Sequence, residues 1–84
     1  MTIENDNIKN QQHKEDIAFR RGLLDKHSQL MRMYLRDNNI KLAKAQFEII
    51  KPVFNFLNNE GEIMRYYTLE DFERDSKRFE KMSI

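Results

Sequence analysis

The sequence predicts an all-α protein: an antiparallel helical hairpin followed by a short third helix, assembled into a helical-bundle homo-oligomer. The chain has 84 residues and contains two glycines and one proline, so few residues interrupt a helix. Apolar residues recur at intervals of three and four, which is the helical period. The chain has no cysteine, so a single domain of this size depends on packing or pairing rather than on disulfides.

The first helix is predicted from about residue 12 to residue 37, after a flexible arm at residues 1–10. The arm is polar and shows no apolar periodicity. Within the helix, Ile17, Leu24 and Met31 fall on one line at about 100° per residue. Neighbouring apolar positions widen this stripe to roughly 200°, more than the roughly 100° that one packing partner requires.

The second helix is predicted from residue 40 to residue 58. Asn38 and Asn39 precede it, and asparagine both tolerates left-handed backbone and caps helices. A link this short returns the chain antiparallel to the first helix. The segment is apolar around most of its circumference, so it must be covered on more than one side.

The third helix is predicted from residue 69 to residue 82. Gly61 ends the preceding helix. Thr68 is the predicted N-cap, and Asp71 at the third helical position completes a capping box. The apolar stripe of this helix is weak, so it is expected to dock late, onto its own chain or onto a partner.

Surplus apolar surface on residues 40–58 is the reason to expect an oligomer. One small hairpin with a weak third helix is not expected to cover that segment, and large exposed apolar patches mark interfaces. Symmetric pairing is the most common closed assembly. We therefore predict a homodimer with a four-helix core, in which the second helices meet at four apolar residues: Phe47, Ile50, Phe54 and Leu57.

The leading functional hypothesis is a non-enzymatic regulator, adaptor or inhibitor that binds another protein. The segments that the core does not need are the arm, the link after the second helix and the acidic start of the third helix. The predicted partner-binding residues are Tyr66, Tyr67, Glu70 and Asp71. A hairpin with a short tail is similar in general shape to small helical chaperones and to phage-encoded inhibitors, a similarity that no motif carries.

The alternative hypothesis is a nucleic-acid- or nucleotide-binding protein. Residues 20–51 contain eight basic residues against three acidic ones, and such a surface either binds phosphates or pairs with acidic residues of the same chain. Arg20 and His27 lie seven residues apart in the apolar stripe, where they form either an anion site or a structural detail. The candidate anion- or nucleic-acid-binding residues are Arg20, Arg21, His27, Arg32, Arg36, Lys41 and Lys44.

Several classes of function are not expected. The chain offers no cysteine nucleophile and no glycine-rich phosphate loop, and His27 and Ser28 are helical neighbours that point about 100° apart. We expect no enzyme activity, no metal site and no cofactor. No apolar run reaches the roughly 20 residues of a membrane span, and the polar N-terminus is unlike a secretory signal. The expected compartment is the cytoplasm, or the host cytoplasm for a phage-encoded protein.

Overall fold

The computed structural model describes the backbone of residues 3–82 and the side chains of residues 11–82. Within this part of the chain the fold is all-helical, as predicted. The helices are α1 (Ile3–Arg36), α2 (Ile40–Asn59) and α3 (Leu69–Lys81). Over the same residues, no helix combines the length and the apolar content that crossing a membrane requires.

Helix α1 is longer than the sequence predicted. Residues 3–10 of the expected arm continue the helix, because neither glycine nor proline occurs before Gly22; residues 1 and 2 lie outside the described residues. The side chain of His13 contacts Glu60, just beyond the end of α2. About ten residues of α1, roughly 15 Å at 1.5 Å per residue, therefore extend past the end of the hairpin.

The two ends of the hairpin are set by left-handed residues at the predicted positions. Asn38 has φ 60° and Gly61 has φ 74°. The N–H of Asn39 donates to the carbonyl of Tyr34 at 2.7 Å, closing α1 in a Schellman motif. Asn39 then caps α2 by accepting a hydrogen bond from the N–H of Leu42. The sequence had predicted both the tight link and the cap.

Helix α2 is the centre of the core and contacts both α1 and α3. The ring of Phe72 stacks on that of Phe54 at a centroid distance of 4.3 Å, and the ring of Phe79 lies 5.1 Å from that of Phe47. These contacts give α3 a larger part in the core than its weak apolar stripe suggested. The buried apolar residues are Leu24, Met31, Ala43, Phe47, Ile50, Val53, Phe54, Leu57, Tyr67 and Phe79.

The structure corrects the predicted role of four apolar residues of α2. Phe47, Ile50, Phe54 and Leu57 were expected at an interface between two copies, but their side chains are at most 1% exposed in a single chain. A weak apolar stripe predicts little cover from α3, whereas Phe72 and Phe79 of α3 pack on Phe54 and Phe47. These four residues form the interior of one chain.

Candidate protein-binding site

The connection between α2 and α3, residues 60–68, carries two of the most exposed large apolar side chains. Ile63 is 76% exposed and Tyr66 is 70% exposed, and Leu69, at the start of α3, is 47% exposed. Arg65 and Glu70 are exposed beside them. We call these five residues the loop surface. It places apolar and charged groups together, as in the centre and rim of protein interfaces.

Tyr67 anchors the loop surface to the core. Its side chain is fully buried and meets the ring of Phe54 edge-on at 6.0 Å. Its hydroxyl donates to Oδ2 of Asp75, which is also buried, at 2.8 Å. Burial and the hydrogen bond to Asp75 both raise the pKa of Tyr67 well above its ordinary value. Because Tyr67 is fixed in this way, Tyr66 next to it is held outward.

Asp75 keeps its position because two guanidinium groups offset its charge. Nε of Arg74 and Nη1 of Arg78 each lie 3.5 Å from Oδ1 of Asp75. That oxygen has no hydrogen-bond partner in the described residues, whereas the other oxygen accepts from Tyr67. A buried carboxylate without nearby cations would be strongly destabilising. The Tyr67–Asp75 hydrogen bond therefore holds α3 and the connection together.

Helix α1 holds the connection from its other side. Nη2 of Arg32 donates to the backbone carbonyl of Tyr66 at 2.8 Å, and Nη2 of Arg21 donates to Glu62 at 3.0 Å. Met64 is half-buried against the core. The backbone of the loop surface is thus fixed at several points, although its side chains point into solvent.

The start of α3 is fixed by the predicted capping box. The hydroxyl of Thr68 accepts a hydrogen bond from the N–H of Asp71 at 3.2 Å, and the N–H of Thr68 donates to Oδ2 of Asp71 at 3.0 Å. The bond from the backbone of Thr68 holds the pKa of the Asp71 carboxyl below its ordinary value. This cap fixes the residue at which α3 begins, and with it the positions of Leu69 and Glu70 in the first turn of the helix.

The concavities at the loop surface differ in size. A cleft of about 80 Å³ lies between Leu24 of α1 and Met64 and Tyr67 of the connection. Ligand pockets usually have about 300–1,000 Å³, so this cleft is too small for such a ligand. A second, open groove of about 470 Å³ is lined by residues that include Ile63 and Tyr66. An open groove of this size has room for an amino-acid side chain.

The predicted partner-binding residues divide into two groups. Tyr66 and Glu70 are exposed, as that role requires. Tyr67 is 0% exposed, which corrects its predicted role: the side chain is an anchor and is not available to a partner. Asp71 is half-buried and serves the helix cap.

Arg20 and His27 have different partners in the structure. Nε of Arg20 lies 3.1 Å from Oδ1 of Asp16, and its guanidinium lies 4.1 Å from the centroid of the Phe56 ring. Nδ1 of His27 and Oε1 of Gln46 lie 2.6 Å apart across the hairpin. Each side chain therefore has a partner within the chain. This favours a structural role for Arg20 and His27 over an anion-binding site.

The other candidate basic residues are dispersed. Arg21 is paired with Glu62, and Nη2 of Arg32 lies 3.8 Å from the carboxylate of Asp71. Arg36 is exposed on α1, and Lys41 is exposed at the start of α2. Lys44 is half-buried, on the side of α2 where Ser76 and Phe79 of α3 also lie. The structure does not bring the seven residues to one site.

Two functional features were missed from the sequence. Ile63 and Arg65 fall in the predicted link, where nothing local distinguishes exposed Ile63 from half-buried Met64 beside it. Asp75 was not predicted to be buried. Its position between Phe72 and Phe79, with Arg74 and Arg78 beside it, is the signal that could have identified a buried carboxylate.

The chain was compared with known proteins in three ways. No protein-family model, no curated protein and no solved structure matches it. The assignment of a function therefore rests on the geometry and chemistry of the residues described above.

Proposed function

We propose that the protein is a non-enzymatic regulator, adaptor or inhibitor that binds another protein through the loop surface. The observation that carries this proposal is the contrast between two neighbouring residues. Tyr67 is completely buried and hydrogen-bonded, whereas Tyr66 is 70% exposed on a backbone that Arg32 holds. Tyrosine is enriched among the residues that dominate binding energies at interfaces.

Fixing the connection in advance favours binding. Ordering a flexible loop at an interface costs roughly 0.5–1.5 kcal/mol for each immobilised side chain, before backbone ordering is counted. The contacts of Arg21, Arg32 and Tyr67 order this backbone in the free protein. A partner therefore needs to order the side chains of the loop surface but not its backbone.

The charges around the loop surface indicate the chemistry of the partner. The carboxylates of Glu62 and Asp71 already contact Arg21 and Arg32, respectively. Arg65 is exposed between Ile63 and Tyr66 in the open groove. The partner should therefore present an apolar side chain with an acidic residue next to it.

The test is affinity capture with matched variants of the full chain. The double variant Ile63→Ser/Tyr66→Ala removes exposed side chains only, so circular dichroism should show unchanged helix content. Met33→Ser, which alters an exposed apolar residue on α1, is the control. A partner should be retained by the native protein and by the control, and lost from the double variant. Equal retention by all three proteins would contradict the proposal.

One observation favours nucleic-acid binding as a second candidate function. Lys26, Arg32 and Arg36 line an open groove on α1 together with Gln29, Leu30 and Met33, and no acidic residue lines it. Phosphate contacts release counterions, so affinity for single-stranded RNA or DNA should fall steeply with salt. Fluorescence anisotropy of labelled oligonucleotides at low and moderate salt tests this. Salt-independent binding, or no binding at low salt, rejects it.

A further inference from the structure

The hairpin has an apolar side that α3 does not cover. On α2, Phe47 and Phe54 face α3, as their ring contacts show. At 100° per residue, Leu42 and Ile49 point about 140–160° away from that direction. Both side chains are 42% exposed. The line continues through exposed Ala45 and Pro52 to half-buried Phe56, with the alternating three- and four-residue spacing of a helix-packing seam.

Helix α1 contributes a parallel line on the same side. Arg32 faces the connection and α3, because it contacts Tyr66 and Asp71. Leu23 and Leu30 point roughly opposite to Arg32 on the helical wheel and are half-buried, and Phe19 is 66% exposed. We call the combined surface the open face: Phe19, Leu23 and Leu30 on α1, with Leu42, Ala45, Ile49, Pro52 and Phe56 on α2.

Polar groups within the open face do not oppose its burial. His27 and Gln46 lie in the groove between the two apolar lines, and their side chains hydrogen-bond to each other at 2.6 Å. At the far end of the face, the guanidinium of Arg20 lies over the ring of Phe56 and is paired with Asp16. A polar group that already has a hydrogen-bond partner costs less to bury than an unpaired one, so these pairs lower the cost of covering the face.

The size of the open face suits a symmetric dimer. Helix α2 has 20 residues, so at about 1.5 Å per residue the face is roughly 30 Å long. Two helices packed about 10 Å apart make it roughly 20 Å wide. Each copy then contributes roughly 600 Å², and two copies reach roughly 1,200 Å², the lower bound of specific, stable interfaces.

Charges at the rims of the face select one arrangement of two copies. His27 lies opposite Gln46, so Lys26 on the α1 rim and Glu48 on the outer edge of α2, where Glu48 also lies 3.3 Å from Lys51, stand at nearly the same height. A two-fold axis parallel to the helices places α2 of one copy over α1 of the other, so that Glu48 meets Lys26 of the partner subunit. An axis across the helices would instead place Glu48 near Glu48 of the partner subunit, which is repulsive.

We propose that the chain forms a two-fold symmetric dimer through the open face, with the axis parallel to the helices. The hairpins of the two copies form a four-helix core, and each α3 lies on the outside. In this arrangement Leu42 and Ile49 of one copy pack on Leu30 and Leu23 of the partner subunit. The loop surface belongs to another side of the molecule, so dimerisation and partner binding are separable.

Molar mass by light scattering tests the dimer with the full chain at micromolar to millimolar concentration. The native protein should have twice the 10.3 kDa of one chain. Ile49→Asp should return the mass to that of one chain, with unchanged helix content by circular dichroism; Leu42→Ser is the second variant in case Ile49→Asp fails to fold. Ile63→Ser/Tyr66→Ala is the matched control and should remain a dimer.

A charge exchange tests the direction of the axis. Glu48→Lys should raise the dimer dissociation constant by about tenfold, because two symmetric attractive pairs become repulsive. Lys26→Glu combined with Glu48→Lys should restore native affinity. A native monomer, a dimer that survives both apolar substitutions, or a Glu48→Lys variant that binds as tightly as the native chain would overturn the proposal.

Discussion

The hydroxyl of Tyr67 lies 2.8 Å from Oδ2 of Asp75, and this hydrogen bond joins two residues that are at most 1% exposed. Tyr67 belongs to the connection and Asp75 to α3. The bond therefore ties the two segments that together form the loop surface. The contribution of this hydrogen bond to the free energy of unfolding can be measured in the absence of any partner.

Replacing Tyr67 with phenylalanine should destabilise the protein. The variant keeps the ring that contacts Phe54 but leaves Oδ2 of Asp75 buried without its donor, which costs about 1–3 kcal/mol. Urea denaturation monitored by circular dichroism measures the change. Tyr66→Phe is the control, and because Tyr66 is exposed its effect should stay within about 0.5 kcal/mol. Equal stability of the two variants would show that the hydrogen bond between Tyr67 and Asp75 does not stabilise the protein.

The same hydroxyl should make the protein sensitive to alkali. The pKa of Tyr67 is raised in the folded state, so its contribution is fully present below the ordinary tyrosine pKa of about 10. As pH rises above about 10, the unfolded chain loses this proton while the folded chain retains it. Stability should then fall by up to about 1.4 kcal/mol per pH unit from this group. Denaturation curves from pH 8 to 11 should show a shallower loss for Tyr67→Phe than for the native chain.

The capping box should make α3 sensitive to acid. The pKa of Asp71 is lowered in the folded state, so its contribution is fully present above about pH 4 and is lost as pH falls through the folded pKa. The native protein should therefore be more stable than Asp71→Asn at pH 7, and the difference should shrink toward pH 2. A difference that stays constant over this range would show that the carboxylate charge is not what stabilises the cap.

The two glycines should respond in opposite directions to alanine. Gly22 lies inside α1, and an added Cβ would meet no atom within 4 Å. Gly22→Ala should stabilise the protein by about 0.5–1 kcal/mol, because alanine loses less conformational entropy in a helix.

Gly61 has equally open surroundings, but its φ is +74°. Gly61→Ala should destabilise by about 1–2 kcal/mol, the approximate cost of a left-handed backbone for an L-residue with a Cβ. Thermal and urea denaturation of the two variants check the pair. Changes of the same sign would contradict the assignment of Gly61 as the left-handed end of α2.

The parts of the fold that depend on interactions between neighbouring residues were the parts that the sequence predicted. Asn38, Gly61 and Thr68 act through their own backbone or neighbouring residues, so the sequence located the helix ends to within a residue or two, apart from the start of α1. That start was missed because residues 3–10 are polar and carry no apolar period. Burial was harder to predict, since it depends on which elements meet. Phe47 was judged uncovered because nothing local indicates that Phe79 packs on it.

The candidate site was predictable only in outline. The sequence indicated the region around Tyr66 and Tyr67, but two adjacent tyrosines give no sign of which is buried. The answer depends on Asp75, eight residues after Tyr67, which accepts the hydrogen bond of only one of them. Which surfaces remain exposed likewise depends on where α3 packs. The apolar periodicity of the sequence does not specify that position.

In the proposed function, the position of α3 also governs how strongly the loop surface binds a partner. Tyr67 and Asp75 hold the connection only while α3 is docked on α2, so partner binding as proposed would select the docked state. A variant in which α3 is undocked half of the time would bind with a Kd about twice that of the native chain, because the apparent Kd scales inversely with the competent fraction. Any modification or ligand that releases α3 would weaken recognition without touching Ile63 or Tyr66.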